Sequence, residues 1–239
     1  MIERLDVRGK RVLFISDTHI PFSHPDYIKF LAAIKKRYEP EVVIHIGDEV
    51  DYHAISFHDS DQDGMSSGME LDKAIIELGE GLHRLFSEMI LMESNHGSLV
   101  YRKMKYHGVP IRAIKELQEL YETPQWRWVP SLLLKTAKGP VYVCHGMSSN
   151  AKRMTLEHGC SVVQGHFHSR FEVTWFQSQL KSTYSMFLGC LADEDSYAMA
   201  YNKPNLSKFI LGCGMIDKKG IPHLLKMHLG LDGRWTGVL

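Results

Sequence analysis

The chain has 239 residues, 44% of them hydrophobic and 23% charged, with 28 basic side chains against 28 acidic ones. Those proportions exclude a disordered chain and leave enough apolar material for one large core, so a single domain over 1–239 is expected. A formal net charge of zero excludes the broad basic footprint that long nucleic acid usually requires, while leaving room for a local patch.

The first residues, Met1-Ile2-Glu3-Arg4-Leu5-Asp6-Val7-Arg8, are broken by charge and cannot form the apolar core of a signal peptide. No apolar run reaches the roughly 18 to 20 residues of a membrane span. A cytoplasmic protein with no membrane contact is expected. Cys144, Cys160, Cys190 and Cys213 are scattered without a C-x-x-C pair, so they read as buried free thiols.

In chain order, Arg11-Val12-Leu13-Phe14-Ile15 reads as a buried strand that ends at Ser16-Asp17-Thr18-His19. After a loop held irregular by Pro21, Ser23 and Pro25, Asp26 is placed to cap a helix running to about Tyr38, with Pro40 stopping it. Val42-Val43-Ile44-His45-Ile46 is the next strand, and the strand, helix, strand order predicts a right-handed parallel crossover. It leads into Gly47-Asp48-Glu49-Val50-Asp51. Residues 52–68 are polar and turn-rich and read as an exposed insertion beside the site. Helical spacing resumes from about Met69 to Met89, and Met69, Met89 and Met92 read as filler.

Met89-Ile90-Leu91-Met92-Glu93 is a third strand, leading to Ser94-Asn95-His96-Gly97. The spacing predicts a helix from Tyr101 to Tyr121 whose Arg102, Lys103, Lys105, His107, Arg112 and Lys115 form a solvated face rather than a phosphate-steering patch. Trp126 and Trp128, near its end, are read as core, with stacking on a base as the alternative. Val141 to Cys144 and Cys160 to Val163 are strands ending before His145-Gly146 and Gly165-His166-Phe167-His168. From Phe171 the pattern turns to hairpins: Phe171 to Phe176, Ser182 to Leu188, Phe209 to Ile216 and His223 to His228, with a turn at Lys218-Lys219-Gly220. These hairpins suggest a second sheet packing on the first. His45 reads as a structural imidazole, and Cys144 and Phe167 as core. His53, His58 and Asp59 read as solvated, with a contact to substrate or to a third ion as the alternative.

Five short motifs therefore end five predicted strands, and in open α/β sheets such positions converge on one crevice. In this order they resemble the calcineurin-like metallophosphoesterase superfamily, whose pattern is D-x-H, G-D-x-x-D, G-N-H-D/E, H and G-H-x-H. The resemblance spans about Val12 to His168. Gly189-Cys190-Leu191-Ala192-Asp193 also looks like the small stand-alone phosphoesterases often encoded by phages. The resemblance implies an α/β fold of two facing mixed β-sheets flanked by helices, in four α/β/β/α layers.

It also implies two divalent metal ions, with Asp17, His19 and His168 on the first and Asp48 bridging to the second. Asn95, His145 and His166 would complete the second. His96 would donate to the leaving oxygen or bind a phosphoryl oxygen, held protonated by an Asp51–His96 dyad. Carboxylate, carboxamide and imidazole donors without thiolate suit Mn²⁺, Fe, Zn²⁺, Ni²⁺ or Mg²⁺, with manganese preferred. Two such ions lower the pKa of water held between them, which supplies a nucleophile without Ser or Cys.

Two departures bear on substrate. Gly97 stands where the family carries an acid, and Tyr52 stands where the protein phosphatase branch carries an Arg to clamp a phosphomonoester dianion. The expected activity is thus hydrolysis of a phosphate ester, preferably a phosphodiester in a nucleic acid or nucleotide. A phosphomonoesterase and a non-catalytic scaffold of the same fold are the alternatives.

Overall fold

The computed structural model describes residues 2–57, 61–202 and 206–239. The elements, in order, are β1 (Glu3–Asp6), β2 (Val12–Ile15), α1 (Tyr27–Tyr38), β3 (Val42–His45), α2 (Ser67–Glu77), β4 (Met89–Met92), α3 (Leu99–Tyr106) and α4 (Leu117–Leu120). There follow β5 (Trp126–Val129), β6 (Leu132–Thr136), β7 (Gly139–Cys144), α5 (Ala151–His158), β8 (Ser161–Gln164), β9 (Phe171–Gln177), β10 (Ser182–Leu188), β11 (Gly212–Ile216) and β12 (Pro222–Lys226). Among the described residues no helix is long and apolar enough to cross a membrane.

Two six-stranded mixed sheets form, one ordered β12-β11-β2-β3-β4-β5 and the other β1-β6-β7-β8-β10-β9. In the first, β2, β3, β4 and β5 run parallel. In the second, β7 and β8 are parallel. Strands in the middle of such a sheet are covered on both faces, which is why β2 and β4 are apolar at every position and show no alternation. Their side chains divide by pleat: Leu13 and Ile15 join Phe30, Leu31, Ile34, Ala74 and Leu82 of the flanking helical layer. Val12 and Phe14 instead meet Leu134, Val143, Val163 and Met186 of the facing sheet. On the far side, Met154 of α5 packs on Tyr142, Cys144 and Val162. Helix, sheet, sheet and helix thus stack in four layers, as the resemblance implied.

The expected hairpins do not make a second sheet by themselves. β11 and β12 extend the first sheet at its β2 edge, while β9 and β10 extend the second beside β8. The strands β7 and β8 belong to the second sheet from the start. The third apolar run of the C-terminal part begins at Gly212 rather than Phe209.

The predicted helix over 101–121 is broken into α3, a short 3₁₀ turn at Ile111–Ala113 and α4. Gly108 adopts φ +71° and Pro110 follows, so the α-helix cannot continue. Trp126 and Trp128 lie on β5, not at a helix end. Asp26 precedes α1 but makes no capping hydrogen bond. Its carboxylate instead accepts Arg234 Nε at 2.6 Å and Nη2 at 2.5 Å, and the backbone N–H of Trp235 at 3.2 Å. Met69 is 56% exposed on α2 and fills nothing, whereas Met89 and Met92 are buried as expected. All four cysteines are buried free thiols.

Candidate metal centre

Parallel pairing sets the carboxyl ends of the strands level: Ile15 lies opposite His45 in the first sheet, and Cys144 opposite Gln164 in the second. The loops leaving β2, β3, β4, β7 and β8 therefore open on one rim. They are stitched there by backbone bonds, with Asp17 N–H donating to Gly47 O at 3.1 Å, His19 N–H to Asp48 O at 2.9 Å and Gly165 N–H to His145 O at 2.7 Å. The two sheets are joined across the rim by His145 Nδ1 to Ile46 O at 2.7 Å and by His166 N–H to Asp17 Oδ2 at 2.9 Å.

These turns are tight. Asp17, His19, Asp48, Tyr52 and His166 all take positive φ between 48° and 68°. A Cβ at Gly165 would collide with Ser16 Oγ and the Asp17 carboxylate. The glycine is what lets the second sheet's loop approach the first sheet's aspartate.

Every residue that the resemblance named for metal binding reaches this rim. Asp17, His19 and His168 offer ligand atoms within 4.8 Å of one another, and so do Asp48, His145 and His166. In the first group His168 Nε2 is 3.3 Å from Asp17 Oδ1 and 3.2 Å from His19 Nε2. Asp48 Oδ2 lies between the groups, 3.1 Å from His145 Nε2 and 3.8 Å from His19 Nε2. Asn95 joins the second group, its Oδ1 2.7 Å from His145 Nε2.

Asp51 and His96 do not form the expected simple dyad. The Asp51 carboxylate binds His19, with Oδ1 2.5 Å from Nδ1, and its distance to His96 Nδ1 is 3.5 Å. His96 Nδ1 is bonded to the backbone carbonyl of Asp51 instead. His96 therefore keeps Asp51 as its partner residue, hydrogen-bonded through the backbone carbonyl with the carboxylate still at ion-pair distance.

Burial disfavours charge on Asp17 and Asp48, yet surrounding imidazoles more than offset it. Asp17 is brought down to about 2 by His168 and His145, and Asp48 lies well below the usual carboxylate range through His145, His96 and His19. His145 rises to about 9 and His96 is also raised, in both cases against burial and through the carboxylates they face. Among the described residues only histidines form ion pairs with Asp17, Asp48 and Asp51, and no Lys or Arg does so. Buried carboxylates and convergent imidazoles with no fixed cation are a donor set that fits divalent metal ions.

The plainer residues behave as structure. His45 is buried, with its pKa pushed down to about 3 by desolvation, and bridges Thr18 Oγ1 at 3.1 Å and Gly47 N–H at 3.2 Å. Trp126 is buried, donating Nε1–H to Phe86 O at 2.9 Å. Phe167 is half-buried against Phe187. His53 is buried rather than solvated, edge-on to Phe22 and Tyr197. His58 and Asp59 lie outside the described residues.

Two residues near the rim have contacts there that the sequence does not signal. Glu49 is fully buried, accepts Trp128 Nε1–H at 3.0 Å, and is pushed up to about 7 by desolvation. Its carboxylate faces Gly97, where an added Cβ would lie 3.3 Å from Oε1. Arg102 Nη2 donates to Asn95 O at 2.8 Å and so braces the loop that presents Asn95.

The family model for calcineurin-like phosphoesterases matches residues 10–178. No curated protein matches the chain. Among solved structures, Vps29 of Chaetomium thermophilum is similar at 10% identity and a TM-score of 0.50, covering 95% of this chain and 92% of its own, which speaks to the fold alone. An archaeal phosphodiesterase aligns at 16% identity and a TM-score of 0.49, over 90% of this chain and 99% of its own. The Escherichia coli phosphoesterase Yfce aligns at 12% identity and 0.42, over 87% and 88%.

Proposed function

We propose, given that this chain belongs to the calcineurin-like phosphoesterase family, that it hydrolyses a phosphodiester of a nucleic acid or nucleotide with two divalent metal ions. The observation that carries this reading is Asp48 Oδ2, 3.1 Å from His145 in its own ligand group and 3.8 Å from His19 in the other. Asp17, His19 and His168 would hold one ion, and Asn95, His145 and His166 the other, with Asp48 shared between them. Manganese is the preferred metal. Bound there, the ions would polarise a phosphoryl oxygen and make water a stronger acid.

The chain's own residues supply the rest. Asp51 accepts from His19 Nδ1, which commits the lone pair of that imidazole to Nε2, the nitrogen facing His168. His96 N–H donates to Asp48 Oδ1 at 3.0 Å and holds the aspartate's orientation. The imidazole of His96, whose pKa is raised against burial by Asp48, Asp51 and the Asp51 carbonyl, would give a proton to the leaving oxygen. Tyr52, at the place of the phosphatase Arg, buries its hydroxyl against Tyr121 Oη at 2.6 Å. It therefore puts no cation on a terminal phosphate dianion, which favours a diester.

Turnover of p-nitrophenyl phosphate and bis(p-nitrophenyl) phosphate tests the preference. We expect the bis-ester to be the faster substrate with Mn²⁺; a monoester that is far faster at every divalent metal tried removes the diester reading. His96→Ala is expected to lower turnover by about 10² to 10⁴ with metal content unchanged. An unchanged rate would favour a non-catalytic scaffold.

A further inference from the structure

Phe57 is 73% exposed, yet it stands on an anchored turn. The N–H groups of His53 and Ala54 just before it both donate to the Glu70 carboxylate, at 2.7 and 2.9 Å, and Ile55 packs on the core. Two cations of α3 stand against its ring, Lys103 Nζ 4.7 Å and the Arg102 guanidinium carbon 5.3 Å from the centroid. The same guanidinium donates to the backbone carbonyl of Asn95, whose side chain lies 2.7 Å from His145. An aromatic face, an ammonium and a guanidinium are thereby continuous with the candidate metal centre.

Each part matches one feature of a flexible polynucleotide. A flat ring with high exposure accepts the π-face of an unstacked base, and stacking of this kind tolerates any base. Lys103 is a point charge for phosphate. Arg102, with five N–H donors, keeps several free after its bond to Asn95 O. A base inside a duplex is already stacked on both faces and cannot offer one to Phe57. Local positive charge at the rim also reconciles a nucleic acid substrate with a net charge of zero.

We propose that Phe57, Arg102 and Lys103 form a subsite for single-stranded nucleic acid, in which a base flanking the scissile phosphate stacks on Phe57 and an adjacent phosphate lies on the two cations. The proposal rests on the diesterase reading and sharpens its substrate. It also reverses the expectation that the charges of this helix are merely solvated.

The test is fluorescence anisotropy of a labelled ten-residue oligo(dT) with the full chain in EDTA, where no hydrolysis occurs. Phe57→Ala is expected to weaken binding about tenfold, and Phe57→Trp to restore it. Lys103→Ala is expected to weaken binding and to reduce the slope of log K against log salt by about 0.7. An abasic strand of equal length and a duplex of the same sequence should both bind more weakly than oligo(dT). Equal affinity for oligo(dT) and the abasic strand, with no effect of Phe57→Ala, overturns the proposal, as does equal affinity for the duplex.

Turnover of bis(p-nitrophenyl) phosphate by the metal-loaded wild type separates the two claims. Turnover without base-dependent binding sinks the subsite alone. Base-dependent binding without turnover upholds the subsite and sinks the diesterase.

Discussion

The Asp51 carboxylate and the His19 imidazole, 32 residues apart in sequence, meet at 2.5 Å through Oδ1 and Nδ1, both side chains buried. This contact fixes a tautomer. With Nδ1 committed as donor, only Nε2 is left to face Asp17 and His168. Asp51→Asn keeps an acceptor but removes the charge, and it can present an amide N–H where a proton already stands. Metal affinity is expected to fall by about 10- to 100-fold, read by calorimetric titration with Mn²⁺. Unchanged affinity would show that His19 needs no such partner.

Asp48 groups with His145 and His166, and its Oδ2 lies 3.8 Å from His19 Nε2, which makes it the residue proposed to be shared by the two ions. His168→Ala should reduce the metal content from two equivalents to one. Asp48→Asn should lower occupancy of both positions together. Elemental analysis of gel-filtered protein distinguishes these outcomes, and a single equivalent in the wild type would contradict the two-ion reading directly.

Gly165 is required for space rather than for backbone freedom, since its φ is not among the positive ones. Gly165→Ala drives a methyl group into Ser16 and Asp17. The cost expected is about 1 to 3 kcal/mol of stability, measured by urea denaturation, together with loss of metal binding because Asp17 must move. A variant of wild-type stability and metal content would refute the close approach of the two loops.

Asp26 and Arg234 join the start of α1 to residues 208 positions later. The Asp26 carboxyl is held well below its usual range chiefly by the Arg234 guanidinium. A carboxyl whose pKa is lower folded than unfolded stabilises above its unfolded pKa of about 3.9 and loses that contribution as pH falls toward the folded value. Wild type should therefore exceed Arg234→Ala in thermal midpoint by a constant margin from pH 7 to about pH 5, and the margin should shrink below about pH 4. A margin independent of pH would place the effect in packing instead of charge.

What could be read in advance follows from where each strand lies. β2, β3 and β4 are central, so their sequences are nearly continuous apolar runs and announce themselves. β1 and β5 are edge strands: Glu3-Arg4-Leu5-Asp6 alternates half-buried with exposed positions, and its charges look like a terminus, not a strand. Trp126 and Trp128 were legible as core but not as strand, because the helical spacing before them was read through Gly108 and Pro110. The convergence of the candidate ligands was legible because each motif ends a strand and parallel register brings strand ends together.

Asp51 was legible as the residue beside His96, but the atom that bonds the imidazole was not, since a backbone carbonyl has no residue type to signal it. Nor was Glu49, whose burial beside Gly97 arises only when the loops after β3 and β4 are folded against each other. Phe57 and the cations of α3 are separated by more than forty residues, and their meeting at the rim depends on the turn that Glu70 anchors.

The left-handed conformations at Asp17, His19, Asp48 and His166 subject each position to two independent filters. The proposed ligation admits only a few side chains, while a positive φ penalises branching at Cβ and favours Asn, Asp or His among non-glycine residues. The overlap is narrow, so in a saturation library these four codons should tolerate almost nothing that keeps both shape and ligation. Asn would stand out at them as the replacement that preserves the turn while weakening the ligand.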